Sequence, residues 1–369
     1  MANFSVATNF DPELLKQIYN LNQQYSNKVV EVYGSLPRST VGSGRPATEL
    51  PSVSWKELEE HIQLAHDFGL KFNYLMNGTN KELSANHSAL QKIREEINFL
   101  LDTRIDSLTV SEDYLIALLK REYPHLELHL SVIAGTDTLE EAKRYAYLGV
   151  KVITLNQHTV NRDFPRIEEL VSLTPSEIEL RLYANVSCLD HCPRRDAHYQ
   201  YLSRRSQQLS DAEQNGERNP HIFWCASTYL NHPVELLRSP FIRTEDINEY
   251  EQMGIRTFKL SDRREPTNAL VSLYQAYLSG EFHSNLFALL FRDGRKWTNA
   301  FRNTGINSPP APDIFIDNDR LTEIAFLDKI RTLSNSKLKE FYAEATSYAV
   351  KNIDSQQTKN FQKWMIAKI

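Results

Sequence analysis

The sequence predicts a (β/α)8 TIM-like barrel with a helical C-terminal appendage. Three observations carry this expectation. Eight short apolar or β-branched runs recur along the chain, centred near Val6, Val32, Tyr74, Leu108, Leu130, Ile153, Leu182 and Phe258. Helical stretches alternate with them, the pattern of parallel strands joined by crossover helices. Eight such units suit closure into a barrel, and no Gly-x-Gly-x-x-Gly follows an early strand to favour a doubly wound dinucleotide fold.

The elements follow in order. Asp11-Pro12-Glu13 is a helix-start signal, and Leu14, Leu15, Ile18 and Leu21 behind it recur at helical spacing. Val29–Gly34 is a strand ending in Gly, and Ser35–Val53 is a loop rich in Ser, Thr, Gly and Pro. Ser54 and Glu57 are spaced as a capping box for a helix over Trp55–Phe68. Lys71–Met76 is a strand before Asn77-Gly78. The alternation continues through helix Ser88–Leu101, strand Ser107–Val110, helix Tyr114–Arg121, strand Glu127–Ile133 and helix Thr138–Leu148. Strand Val152–Leu155, a helix near Phe164–Leu173 and strand Glu179–Val186 come next. Glu245–Met253 is helical, with Arg243, Glu245 and Asp246 at its start; strand Thr257–Leu260 and helix Thr267–Leu278 complete the barrel. The pattern then changes, and Leu321–Leu333, Lys337–Val350 and Thr358–Ile366 read as helices. The domain reading is a barrel over 1–280 and a helical extension over 281–369.

Composition narrows the function classes. With 369 residues, 41% hydrophobic and 24% charged, the chain buries a sizeable core. The net charge of −5 gives no global pull toward nucleic acid, which makes a nucleic-acid partner unlikely as an expectation, or toward anionic membrane. No apolar run is long enough to span a bilayer, and the N-terminus lacks the features of a signal peptide. Three cysteines do not make a secreted disulfide framework, so a cytoplasmic location is expected.

Barrel enzymes carry their chemistry at the C-terminal ends of the strands. Here those ends bring Asn9, Gly34 with Ser35, Asn77, Ser111 with Glu112, Ala134 with Gly135, Asn156, Asn185 through Cys188, and Ser261 with Asp262. Asn77, Asn156 and Asn185 are candidate substrate-binding groups, although Asn and Gly also simply end strands. Cys188 and Cys192 follow the seventh strand, and Cys225 closes the apolar run His-Ile-Phe-Trp-Cys. Thiolates suit zinc or an iron–sulfur cluster, so the three are candidate metal ligands at the barrel mouth. Zinc would need a fourth ligand, for which His191 and His198 are available; three unrelated buried cysteines are the plainer alternative. Arg194, Arg195, Arg204 and Arg205 surround the cysteine loop, and Arg195 and His198 are candidates for binding an anionic substrate. Lys259 lies on the last strand, where alternation leaves either face open. Lys259, Asp262 and Arg263 are the candidate catalytic residues. No Gly-x-Ser-x-Gly or His-Glu-x-x-His is present.

Particular stretches resemble a known family. They are Val30–Gly34, Gly69–Asn77, His129–Ser131, Gly149–Leu155, Ser187-Cys188 with Cys192-Pro193, Phe241–Asp246 and Gly254–Leu260. From about Phe4 to about Leu290 the chain resembles the collagenase-like peptidases of family U-32. The family name implies proteolysis. The resemblance also extends to members of oxygen-independent hydroxylation pathways, which carry four cysteines around a four-iron four-sulfur (4Fe-4S) cluster. Carried over, Cys188, Cys192 and Cys225 match the cluster role. The chain departs from the pattern by having no fourth cysteine, and by Ser261-Asp262-Arg263 where a Gly-Arg often follows the Lys-bearing strand.

Three functional expectations result. The first is an iron–sulfur redox or hydroxylation-type enzyme acting on a small molecule or a modified macromolecule. The second is a peptidase with a peptide substrate, and the third is a non-catalytic partner paired with a subunit of the same family.

Overall fold

The computed structural model describes residues 1–207, 219–298 and 307–366. Eight parallel strands close into a barrel in chain order. They are β1 Asn3–Ala7, β2 Lys28–Gly34, β3 Lys71–Leu75, β4 Ser107–Val110, β5 Glu127–Leu130, β6 Val152–Thr154, β7 Glu179–Tyr183 and β8 Thr257–Leu260. Closure is made by β1 against β8, where Phe4 pairs Phe258 and Ser5 pairs Lys259.

Alternation along each strand sorts the side chains into two sets. Phe4, Val6, Val32, Phe72, Leu108, Leu128, Leu130, Ile153, Leu182 and Phe258 are apolar and fully buried, facing the helical layer. Burying each contributes about 1.5–3 kcal/mol, so this face holds the helices on the barrel. The helices start where their caps dictate. Asp11 accepts from the Glu13 amide at 3.0 Å ahead of Pro12, opening helix Pro12–Gln24. Ser54 and Glu57 form the capping box of helix Trp55–Asp67. His87–Asp102, Asp113–Glu122, Leu139–Tyr147 and Phe164–Leu173 fill the next crossovers, and Thr267–Ser279 follows β8.

The chain divides into two compact units. The barrel unit comprises Met1–Ala184, Arg195–Leu209 and Ile247–Gly280. The second comprises Asn185–Arg194, Ser210–Asp246 and Glu281–Ile369, so it takes in the cysteine loop as well as the C-terminal helices. Its core is aromatic: Tyr229 meets Phe291 edge-on with ring centres 5.2 Å apart, and Trp297 packs on Tyr229, Phe287 and Phe291.

Several local expectations are corrected. The apolar run that Cys225 closes, expected as a strand or a short apolar segment, is helical. It lies inside helix Pro220–Asn231, started by Asn219, whose side chain accepts from the amides of His221 (3.1 Å) and Ile222 (3.3 Å). Arg243, Glu245 and Asp246 precede helix Ile247–Gln252 rather than opening it. Arg243 instead forks onto Asp246 at 2.9 and 2.7 Å. The stretch read as one helix over Leu321–Leu333 is two, Asn318–Glu323 and Phe326–Thr332, parted by Ala325 in a left-handed conformation. The extension also contains a small antiparallel pair, Phe315–Ile316 with Val350–Lys351.

Candidate functional site

Most inward-facing strand positions are polar, in place of the branched apolar filling usual in these barrels; Ala7, Tyr33 and Leu75 form a small apolar cluster toward the strand ends. Side chains from non-adjacent strands meet there, which only the lumen allows. Glu31 on β2 accepts from Ser5 at 2.5 Å and from Arg181 on β7 at 2.8 Å. Arg181 also forks onto Glu179, and His129 on β5 bonds Glu127 at 2.9 Å and Asn73 on β3 at 3.0 Å. Asn73 is completed by Ser107 and Thr109, both at 2.6 Å. Burial opposes ionisation of Glu31, yet Arg181, His129 and Lys259 beside it bring its carboxyl down to about 2. Burial pulls Lys259 down to about 7, against the attraction of Glu31 and with the help of Arg181 and Arg263.

Lys259 therefore points into the lumen. Its ammonium lies 4.0 Å from the centre of the Tyr33 ring, and Tyr33 donates its hydroxyl to the Leu260 carbonyl at 2.8 Å.

Just beyond the strand ends lies a cluster of guanidinium groups and phenols. Arg264 pairs with Glu49 at 2.5 Å and Asp262 at 3.4 Å. Arg263 bonds Ser35, next after β2, at 2.5 Å. Burial and the neighbouring Arg45 lower its guanidinium to about 10. Tyr183 at the end of β7 is in hydrogen-bonding contact with Ser261 and Tyr33, and burial raises both phenols above their usual range.

The remaining candidates are dispersed around the strand ends. Asn77 donates to Ser131 at 2.9 Å and accepts from the Gly44 amide at 3.3 Å, so it ties loops together. Asn156 donates to Asp137 at 3.2 Å and accepts from the His158 amide. Arg195 donates to the carbonyls of Val132 (2.7 Å) and Ile133 (2.9 Å), and its guanidinium lies over Tyr199. His198 stacks on Tyr199 with ring centres 6.4 Å apart. Asn185 is buried in the second unit. Sequence reasoning missed Arg45, Tyr33, Tyr183, Glu31 and Arg181. For the strand residues the signal was present as polar groups at every second position.

All three cysteines belong to the second unit, and none is disulfide-bonded. Cys225 and Tyr229 are one turn apart on helix Pro220–Asn231 and share a face. Burial pushes the Tyr229 phenol well above its usual range, and Cys225, Cys188 and Cys192 each push it further. Ser239 donates to the Cys188 carbonyl at 2.8 Å, and Arg194 lies 4.8 Å over the Trp224 ring. Among the described residues, no group of three or more His, Cys, Asp or Glu side chains is arranged to hold a metal ion. His191 is exposed and bonds Asp190 at 2.9 Å.

Fold and site define a (β/α)8 barrel protein with a polar lumen, an arginine-rich mouth and a separate thiol group. The model of peptidase family U32 matches residues 16–280, and the chain belongs to that family. An uncharacterized protease of Methanocaldococcus jannaschii is 28% identical over 295 residues, which are 78% of this chain and 85% of that protein. tRNA hydroxylation protein P of Haemophilus influenzae is 23% identical over 183 residues, and that of Escherichia coli is 26% identical over 177. These alignments span 49% and 46% of this chain but only 37% and 36% of the two relatives. A solved U32 peptidase shares the fold, with a TM-score of 0.51 at 19% identity over 72% of this chain and 95% of that one. Among the described residues, no helix is long and apolar enough to cross a membrane.

Proposed function

We propose that this U32 protein is a redox enzyme of the hydroxylation type, acting on a small molecule at the barrel mouth. Cys188, Cys192 and Cys225 would hold its iron–sulfur cluster. The observation that carries the reading is that all three cysteines, from two separate segments, fall in one compact unit and none is disulfide-bonded. Three soft thiolates fit an iron–sulfur centre and leave one iron without a cysteine. Among the described residues the three are not arranged as a ligating group, so cluster binding would have to draw the segments carrying Cys188, Cys192 and Cys225 together. Zinc is the other ion such thiols suit.

When bound, such a cluster supplies one-electron transfer. The chain's own residues bind and orient. Arg263 offers a guanidinium to substrate, Asp262 holds Arg264 in place, and Lys259 under Tyr33 balances the charge of Glu31. The similarity to tRNA hydroxylation protein P supports hydroxylation-type chemistry, whereas the net charge of −5 does not favour a phosphate backbone as substrate.

Anaerobic incubation with iron and sulfide tests the reading. The wild-type chain is expected to gain visible absorbance and, once reduced, a paramagnetic signal, both reduced in Cys188→Ser, Cys192→Ser and Cys225→Ser. A chain that stays colourless overturns it. A peptidase reading is favoured by the name and wide coverage of the archaeal relative. Cleavage of collagen-like or unstructured peptides that Cys188→Ala abolishes would replace the redox reading.

A further inference from the structure

The guanidinium cluster at the barrel's C-terminal end is unevenly paired. Arg264 has its carboxylates, Glu49 and Asp262. Arg263 is 5% exposed, yet its one hydrogen bond among the described residues is to the neutral hydroxyl of Ser35, and no ion pair reaches it. The other nitrogens of its guanidinium are not sealed in protein, since none is among the fully buried atoms lacking a partner. Among the described residues Arg45 makes one hydrogen bond, to the carbonyl of its neighbour Gly44 at 2.8 Å. Against burial, the Asp262 and Glu49 carboxylates raise its guanidinium above the usual range, so the uncompensated cation is Arg263 and Arg45 is the second guanidinium beside it.

A cation removed from water without a counter-ion costs several kcal/mol, and such an arrangement persists where a ligand supplies the missing charge. We propose that Arg263 and Arg45, with the phenols of Tyr33 and Tyr183 beside them, form an anion subsite that takes the carboxylate or phosphate of a small organic acid. A guanidinium fork matches either oxyanion with two parallel bonds. The position agrees: Ser35 follows β2, Tyr183 ends β7 and Arg263 follows β8, all at the end where barrels of this kind bind ligands. The depressed Arg263 guanidinium, caused by burial and by Arg45, is the electrostatic mark of the same vacancy in charge.

The subsite deepens the proposed function by naming the class of its substrate, but it lies wholly within the barrel unit and needs no cluster. Calorimetric titration of the metal-free chain therefore tests it separately. The probes are succinate, inorganic phosphate and neutral succinamide at matched ionic strength. Saturable binding of succinate or phosphate is expected, with none of succinamide; which anion binds more tightly identifies the group recognised. Arg263→Met and Arg45→Met should each weaken binding at least tenfold, as loss of a hydrogen bond to a charged group implies. Arg263→Lys should also weaken it, because an ammonium cannot make the fork. If Arg263→Met does not fold, Arg263→Lys and Arg45→Met carry the comparison. Absence of saturable binding by both anions, or binding indifferent to all the variants, overturns the subsite. A chain that binds anions yet never acquires a cluster would retain the subsite and lose the redox reading.

Discussion

Replacing Glu31 by Gln tests whether the barrel is held by a buried charge network. Glu31 is 2% exposed and is the lumen carboxylate among Arg181, His129 and Lys259, with Ser5 as a fourth partner. The amide keeps the shape and removes the charge. Its carboxyl lies near 2 instead of 4.5, and each unit is worth 1.36 kcal/mol, so the charge contributes about 3 kcal/mol at neutral pH. Leaving Arg181 half-compensated and Lys259 without its carboxylate gives a loss of about 3–5 kcal/mol, the usual range for breaking a buried pair. The sign with pH follows from a depressed acid. The stabilisation is complete above 4.5 and is lost as pH falls toward 2. Urea unfolding of both proteins between pH 7 and 3 should show a gap that is full at pH 5–7 and shrinks below 4.5. A gap under about 0.5 kcal/mol, or one unchanged at pH 3, would refute the network.

Three more expectations come from named contacts. Lys259 ionises near 7 in the fold but near 10.5 when unfolded, so the unfolded chain binds more protons between these values and stability should rise with pH there; Lys259→Met should remove that rise in a pH series of thermal unfolding. Asn219→Ala removes the cap of the helix that carries Cys225 and should cost about 1 kcal/mol of stability in urea unfolding. Gly135 has φ of 82°, and an added Cβ would lie 3.1 Å from the Arg195 guanidinium; Gly135→Ala should destabilise by about 1 kcal/mol or more and release Arg195 from Val132 and Ile133, measurable by thermal unfolding and amide exchange.

The barrel was legible because its outer face obeys simple rules. Apolar residues at alternate strand positions, Asp11-Pro12 and the Ser54–Glu57 box mark elements that local chemistry determines. The lumen was not read, because Glu31, Asn73, His129 and Arg181 look like ordinary polar positions until closure brings non-adjacent strands together. Arg45 sits in a Gly- and Ser-rich loop with no periodicity, so only the fold reveals its neighbours. The segment before Cys225 reads only as a short apolar run although Asn219-Pro220 is a helix-start signal, because Ile-Phe-Trp suits a strand and a helix equally. The break at Ala325 has no sequence mark, since alanine rarely adopts a positive φ.

Native mass spectrometry under anaerobic conditions, after incubation with iron and sulfide, tests most directly whether the three thiols hold one centre. A mass increase of one four-iron four-sulfur cluster is expected on the wild-type chain, and none when Cys188, Cys192 and Cys225 are all Ser. A wild-type chain at its bare polypeptide mass, or a triple variant that still carries the cluster, would contradict it.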